Sequence, residues 1–483
     1  MPADPPNPDT AAPSPAATAT AAPPAVPRAE AWLFWLKLGF VSFGGPAGQI
    51  ALMHAELVNR RRWISERRFL HALNYCMLLP GPEAQQLATY LGWLMHRSAG
   101  GLVAGGLFVL PSLLILIALS WAYLAWGQQP LVVAVFGGIK AAVVAIVAQA
   151  AWRLGTRTLK TPMAWLLALG SFVALALAHV PFPVVVVAAA ALGWAAGRWR
   201  PAWLGLGGAA GSGHAAPGHA AATGSAAAPG AAAAASPPLI DDDTPPPAHA
   251  RFRPGRLAAV VAVAALAWAV PMLLLAAWGG RSGTLAAMAG FFTQAALVTF
   301  GGAYAVLPFV VQAAVQQYGW LSAAQMMDGL ALGETTPGPL IMVVAFVGFV
   351  GGWQSADLAT LLAGTPPWVA GALAASVATW FTFLPSFLFI LAGGPLVEAT
   401  RGRLGFTAPL AAISAAVVGV IVSLALFFAR HVLWPQGPAG GLDALAAGLA
   451  AAALAALLSG RLGVMGVIGV CALTGGLRGL LAA

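Results

Sequence analysis

The sequence predicts an all-α polytopic membrane protein made of two inverted-topology repeats. Each repeat is expected to hold two broken helices, folded as re-entrant hairpins, and about four spanning helices, with one extra helix between the copies. Three observations carry this reading. Only 8% of the 483 residues are charged and 60% are hydrophobic, with a mean hydropathy of +0.84. A soluble domain carries about 25% charged residues, so this chain cannot cover an aqueous surface and needs lipid around it. Apolar stretches recur at the length that crosses a bilayer, about 20 residues, and rare motifs recur in one register in the two halves of the chain.

Taken in order, residues 1–30 are rich in Pro and Ala and lack the basic-then-apolar layout of a signal peptide; they read as a disordered tail. The first repeat, 31–199, holds apolar segments near 31–57, 69–95, 101–126, 131–152, 162–179 and 182–198. Residues 200–256 shift to Ala, Gly and Pro with the acidic run Asp241, Asp242 and Asp243. Such a tract buries too little apolar surface to order itself and reads as a disordered linker, in which His214, His219 and His249 are incidental. An unpaired transmembrane helix at 257–279 follows. The second repeat, 286–483, holds segments near 286–315, 321–351, 366–393, 407–428, 441–458 and 461–482. The net charge of +9 sits mainly in short loops, a mark of membrane topology rather than of nucleic-acid binding. Cys76 and Cys471 both lie in apolar segments and read as buried thiols; neither a metal nor a cofactor is expected.

The two repeats are copies. Phe43-Gly44-Gly45 recurs as Phe300-Gly301-Gly302, Trp63 and Ser65 recur as Trp320 and Ser322, and Pro80-Gly81-Pro82 recurs as Pro337-Gly338-Pro339, all displaced by 257 positions. Leu110-Pro111-Ser112 recurs as Leu384-Pro385-Ser386 and Ala141–Val144 as Ala415–Val418, displaced by 274, so one insertion of 17 residues separates the two registers. The extra helix adds an odd crossing and inverts the second copy. Arg60, Arg61, Arg62, Arg67 and Arg68 follow the first segment, whereas the counterpart around Gln316, Gln317, Tyr318 and Gln325 has no basic residue, as inversion requires if basic loops stay cytoplasmic. In inverted repeats the substrate site lies near the midplane where the copies meet.

Gly44-Gly45-Pro46 and Pro80-Gly81-Pro82 oppose a helix in the middle of their segments. Each segment is either a kinked crossing or a hairpin with its tip at the break; the hairpin brings Arg60–Arg68 to the side of the other basic loops and is preferred. The helix after each break begins with Pro in its first turn, and its N–H groups and positive dipole end make an oxyanion site, the alternative being a cation held by unwound carbonyls. Lys37 and Lys140 are candidates to neutralise the anion, Glu83 and Glu334 to carry a coupling proton or ion, and Gln85 and Gln86 to donate to substrate. Each has a plainer reading. Lys37 snorkels to the interface, Lys140 pairs with a carboxylate, Glu83 is a first-turn acid favoured by the dipole, Glu334 and Asp328 satisfy nearby backbone, and the glutamines bridge helices. No catalytic residue is expected: the sequence has neither His-Glu-x-x-His nor Gly-x-Ser-x-Gly, and it lacks the phosphate loop of an ATP-driven pump.

Phe43-Gly44-Gly45-Pro46, Pro80-Gly81-Pro82-Glu83-Ala84-Gln85-Gln86 and Leu110-Pro111-Ser112, with degenerate copies at 300–302 and 337–339, resemble the chromate ion transporter family in its two-domain, long-chain form. The resemblance covers roughly 31–200 and 286–482. It implies a secondary active transporter, not an enzyme, that exports chromate from the cytoplasm, driven by membrane potential or ion exchange, and confers chromate resistance. It implies a multi-pass protein of the bacterial inner membrane, whose N-terminus and linker are cytoplasmic in the hairpin reading. Its partners would be the bilayer and chromate, or sulfate or another tetrahedral oxyanion as the alternative, with a homodimer left open. The substrate site would be formed by the residues of the breaks: Phe43, Gly44, Gly45, Pro46, Pro80, Gly81, Pro82, Phe300, Gly301, Gly302, Pro337, Gly338 and Pro339. The second copy departs from the pattern with Ala303 in place of Pro46 and Leu340 in place of Glu83, so the copies are expected to play unequal parts.

Overall fold

The computed structural model describes residues 26–43, 45–200, 203, 238–242, 247–300, 302–399, 407–437 and 440–482. Among these residues the structure is helical apart from turns and one isolated bridge, Ile64 to Ile240. The first copy runs through α1 (Arg28–Val41), α2 (Gly45–His54), α3 (Glu66–Leu78), α4 (Glu83–Trp126), α5 (Pro130–Thr158), α6 (Pro162–Ala176) and α7 (Phe182–Trp199). α8 (Pro254–Gly279) connects it to α9 (Thr284–Val298), α10 (Ala303–Val311), α11 (Ala323–Thr335), α12 (Val343–Trp353), the short α13 (Ala356–Leu361), α14 (Pro367–Ala399), α15 (Thr407–Leu433), α16 (Ala444–Leu458) and α17 (Val464–Ala482). Seven helices, α4, α5, α7, α8, α14, α15 and α17, are long and apolar enough to cross a membrane, and α6, α9, α12 and α16 are shorter apolar helices. The chain is a multi-pass membrane protein.

The repeated motifs do the same work in each copy. Ser65 and Ser322 each cap the helix that follows by accepting from a backbone N–H of its first turn. One π-helical turn, 55–60, recurs at 312–317, the same 257 positions on. Trp63 meets Phe34 edge to face at 5.2 Å, and Trp320 meets Phe291 at 5.7 Å. These contacts fix the path of the chain. Arg61, after α2, bonds Glu30 at the start of α1 at 3.0 Å; 31 residues of continuous helix would place them about 46 Å apart at 1.5 Å per residue, so α1 and α2 form a hairpin. Arg68 at the start of α3 and Tyr90 in α4 likewise reach the same Glu398 carboxylate, which folds α4 back along α3.

α4 is itself bent. His96 and Arg97 leave helical geometry, Arg97 with φ +61°, and 85, 89 and 92 pack against 105, 101 and 100 across small residues, so the arms 83–95 and 98–126 run antiparallel. In the second copy α12 and α14 make the same hairpin, with Gly348 and Gly352 against Ala378 and Ala374. Its connection carries α13, and the 17-residue insertion lies there. The remaining helices exchange partners between copies: α5 packs against α16 and α17, and α15 packs against α6 and α7.

The 200–256 linker, expected to be disordered as a whole, docks on the first copy at 238–242 and at His249, while Trp203 and residues 251–255 are exposed. Leu239 and Ile240 bond backbone groups of Arg62, Trp63 and Ser65, and Ser65 Oγ donates to Asp242 at 2.6 Å. His249 bonds the Trp93 carbonyl at 2.9 Å and Arg256 reaches Ser98. The segment has few apolar residues to bury, but it supplies backbone partners to the base of a hairpin whose own groups are unpaired there. Most of the N-terminal tail lies outside the described residues.

Candidate substrate site

All four breaks have one backbone device. Gly45, Gly81, Gly302 and Gly338 have φ of +69°, +122°, +96° and +107°, a region that side chains disfavour. Each reverses the chain between two short helices. Gly44 and Gly301 lie outside the described residues.

The breaks are bonded across the copies. The Gly81 N–H donates to the Thr299 carbonyl at 2.8 Å, and the Gly338 N–H donates to the Ser42 carbonyl at 2.8 Å. Ser42 and Thr299 are equivalent residues, as are Gly81 and Gly338, so one bond is made twice by symmetry. Behind each Pro-Gly-Pro stands the serine of the other copy's Leu-Pro-Ser: a Cβ on Gly338 would lie 2.6 Å from Ser112 Cβ, and one on Gly81 would overlap Ser386 Oγ. α2 packs on α4, and α10 packs on the 3-10 turn Leu340–Met342, which closes the four breaks into a ring. Pro111 presses on Gly39 of α1.

First-turn N–H groups of a helix have no intrahelical acceptor. Ser65 and Ser322 supply one at the hairpin bases, but no side chain caps α4, α10 or the 340–342 turn. Their positive ends face the ring, with Pro82 and Pro339 at the cap positions. Around them lie fully buried polar side chains with an unpaired atom: Ser42 Oγ, Gln49 Oε1, Gln86 Oε1 and Ser112 Oγ. An orphaned buried polar atom costs about 1–3 kcal/mol, a cost that a polar ligand would remove. Gln49 donates to the carbonyls of Ser42 and Gly338, and Gln86 to the Pro80 carbonyl at 2.7 Å. Uncapped N-termini, their positive dipole and the Ser42 and Ser112 hydroxyls, which can donate, suit an oxyanion, whereas the free amide oxygens of Gln49 and Gln86 only accept.

The other candidates divide. Glu83 opens α4 and faces the opposite copy, its Oε1 4.0 Å from the Cβ position of Gly302. Glu334 accepts from the Tyr304 hydroxyl at 2.6 Å, one residue beyond the start of α10. Lys140 is not free to meet an anion: it pairs with Asp328 at 3.4 Å, and Tyr123 donates to the same carboxylate oxygen at 2.8 Å. Lys37 is exposed on one stripe of α1 with Leu33 and Phe40 and is removed from the ring because its helix buries the opposite face. Gln85 turns away too, donating to Thr89 Oγ1 at 3.0 Å within α4. Phe43 is exposed at the tip of its hairpin. Sequence reasoning passed over Ser42, Thr299, Gln49, Tyr304 and the part played by Ser112 and Ser386. The repeated serine was visible in the motif; Gln49 has no copy, since Val306 stands in its place. Among the described residues no group of His, Cys, Asp and Glu could hold a metal, and both cysteines are free and buried. A surface groove of about 340 Å³ beside Trp121, Phe349 and Trp368 lies apart from the ring and is apolar.

The family model described as chromate transporter matches residues 29–194 and 286–476, the two copies in turn. The chain belongs to that family. A chromate transport protein of Pseudomonas aeruginosa is 32% identical over 409 residues, 84% of this chain and 82% of the relative. One from Cupriavidus metallidurans is 28% identical over 402 residues, 83% and 82% of the two chains. An uncharacterized transporter of Bacillus subtilis is 29% identical over 125 residues, 26% of this chain and 64% of its own. No solved structure matches this chain.

Proposed function

We propose that this chromate transporter family member carries chromate out of the bacterial cytoplasm as a secondary active transporter of the inner membrane and so confers resistance to it. The single observation that supports this most is the doubled bond between breaks, Gly81 to Thr299 and Gly338 to Ser42. It gathers uncapped helix N-termini of both copies around orphaned buried polar groups. In this reading the repeats are 31–199 and 286–483, inverted with respect to each other by α8. The hairpins α1–α2, α3–α4, α9–α10 and α11–α12 are re-entrant, with their tips at the midplane. The breaks, Phe43 to Pro46, Pro80 to Pro82, Phe300 to Gly302 and Pro337 to Pro339, bind the oxyanion, and Gln86 braces the second of them through the Pro80 carbonyl. Val26, Glu30, Arg61, Ser65, His96 and the docked linker share one end of the molecule, and its basic residues favour the cytoplasmic face.

Chromate is a tetrahedral dianion. With the cytoplasm negative, its outward passage gains about 4.6 kcal/mol per 100 mV, twice the value for one charge, so no nucleotide is needed. Glu83 and Glu334 are the groups placed to couple a proton or exchanged ion. The test is chromate flux in liposomes under an imposed potential, with sulfate, molybdate and phosphate as competitors. Outward flux that follows the potential supports export; flux of sulfate equal to or faster than that of chromate would replace the substrate with sulfate, and absence of any oxyanion flux would refute the reading.

A further inference from the structure

We propose that Glu83 selects among tetrahedral oxyanions by their basicity, so that the site takes an anion able to share one proton with this carboxyl, hydrogen chromate in net composition, and disfavours the anions of strong acids. The proposal rests on the oxyanion site described above and deepens it. Sulfate, selenate and chromate are close in shape and charge, so a ring of N–H donors alone discriminates poorly among them. They differ in basicity: chromate, like arsenate and phosphate, takes up a proton near neutrality, whereas sulfate and selenate do so only in strong acid.

Glu83 sits where this difference can be read. It is the first residue of α4, beside the uncapped N-terminus, and its Oε1 looks across at Gly302 of the other copy. Among the described residues no hydrogen bond or ion pair engages its carboxyl, and neither lysine candidate reaches it: Lys37 is exposed and Lys140 is held by Asp328. The neighbouring unpaired atoms of Gln49 and Gln86 are acceptors, both on fully buried side chains. An anion without a proton would meet a carboxylate and two lone acceptors, and like charges in contact repel. An anion that brings a proton places it between its own oxygen and Glu83 and removes that repulsion. A site built to use a substrate proton rejects the analogue that lacks one, because its buried groups are then left unpaired. The second copy has Leu340 at the equivalent position, so one proton is shared per anion.

The test uses the full-length chain purified in detergent at pH 7, with radiolabelled chromate displaced by unlabelled chromate, arsenate, selenate and sulfate. In the wild type selenate and sulfate should displace chromate at least about ten-fold more weakly than unlabelled chromate does, with arsenate nearer to chromate. In Glu83→Gln, which keeps the shape and offers an N–H, the gap between chromate and selenate should close to about three-fold or less. Selenate that competes as well as chromate in the wild type overturns the proposal, as does a selectivity that survives Glu83→Gln or a folded Glu83→Gln protein that binds none of the anions. Wild-type protein that is folded but binds no chromate defeats the oxyanion site itself, and this inference with it.

Discussion

Two buried carboxylates hold the copies together on either side of the ring, and each does so with a different cation. Glu398 of the second copy takes Arg68 at 3.8 Å and the Tyr90 hydroxyl at 2.6 Å, both from the first copy. Asp328 takes Lys140 and Tyr123, again across the copies. Arg68 and Glu398 have side chains only 9% and 5% exposed, so removing one leaves a charge with no solvent to receive it. Arg68→Met should lower stability by about 3–5 kcal/mol, while Arg68→Met with Glu398→Gln should recover most of that loss; thermal unfolding in detergent reads both. Lys140→Met should cost less, because Lys140 is 25% exposed and Tyr123 still donates to Asp328. Equal losses from the two single variants would show that burial does not rank these pairs.

Hairpins and their packing set what can be checked at the scale of elements. Because Arg61 returns to Glu30, single cysteines at these two positions should react with a membrane-impermeant thiol reagent from the same side; Cys76 and Cys471 are buried and give a low background. Labelling from opposite sides would mean a continuous crossing. The docking of the linker should depend on pH through His249. Burial pushes the His249 imidazole below its usual value, and the charges of Arg256 and Arg97 push the same way against the Trp93 carbonyl bond. A ring harder to protonate when docked adds stability that is full above the free value, about 6.5, and is lost as pH falls below it. Limited proteolysis of 238–250 should therefore speed up between about pH 7 and pH 5, and His249→Phe should flatten that dependence; a profile unchanged by the substitution would place the sensitivity elsewhere. The sequence did not reveal this docking, since backbone bonds from Leu239 and Ile240 leave no trace in side-chain type. It did reveal the breaks, because Gly suits the positive φ of the reversal and Pro opposes continuation of the helix before it. The turn at His96 and Arg97 falls in the gap between the segments 69–95 and 101–126, but the contact between its arms was not legible: small residues at 92, 100, 101 and 105 make the tight approach.

At the scale of the molecule, the duplication explains why motifs far apart in sequence recur together. Each Pro-Gly-Pro needs the other copy twice, once for the carbonyl before the first break and once for the serine behind the glycine. Neither half can complete its own break. The motifs were legible in the sequence, but their pairing was not, because a repeat read in one dimension aligns Gly81 with Gly338 and gives no sign that each meets the other's neighbours. Lys37 shows the same limit: its position six residues before a break suggested a ligand, and only the burial of the opposite face of α1 excludes it from the ring. The central claim is that the oxyanion passes where the four breaks are bonded, with both copies required. The most direct measurement is chromate flux in liposomes for Gly81→Ala and Gly338→Ala beside Gly448→Ala, a helical position with open space around it. The account expects both break variants to lose most of their flux, alike although they lie in different copies, and Gly448→Ala to match the wild type. Wild-type flux in either Gly81→Ala or Gly338→Ala would contradict it.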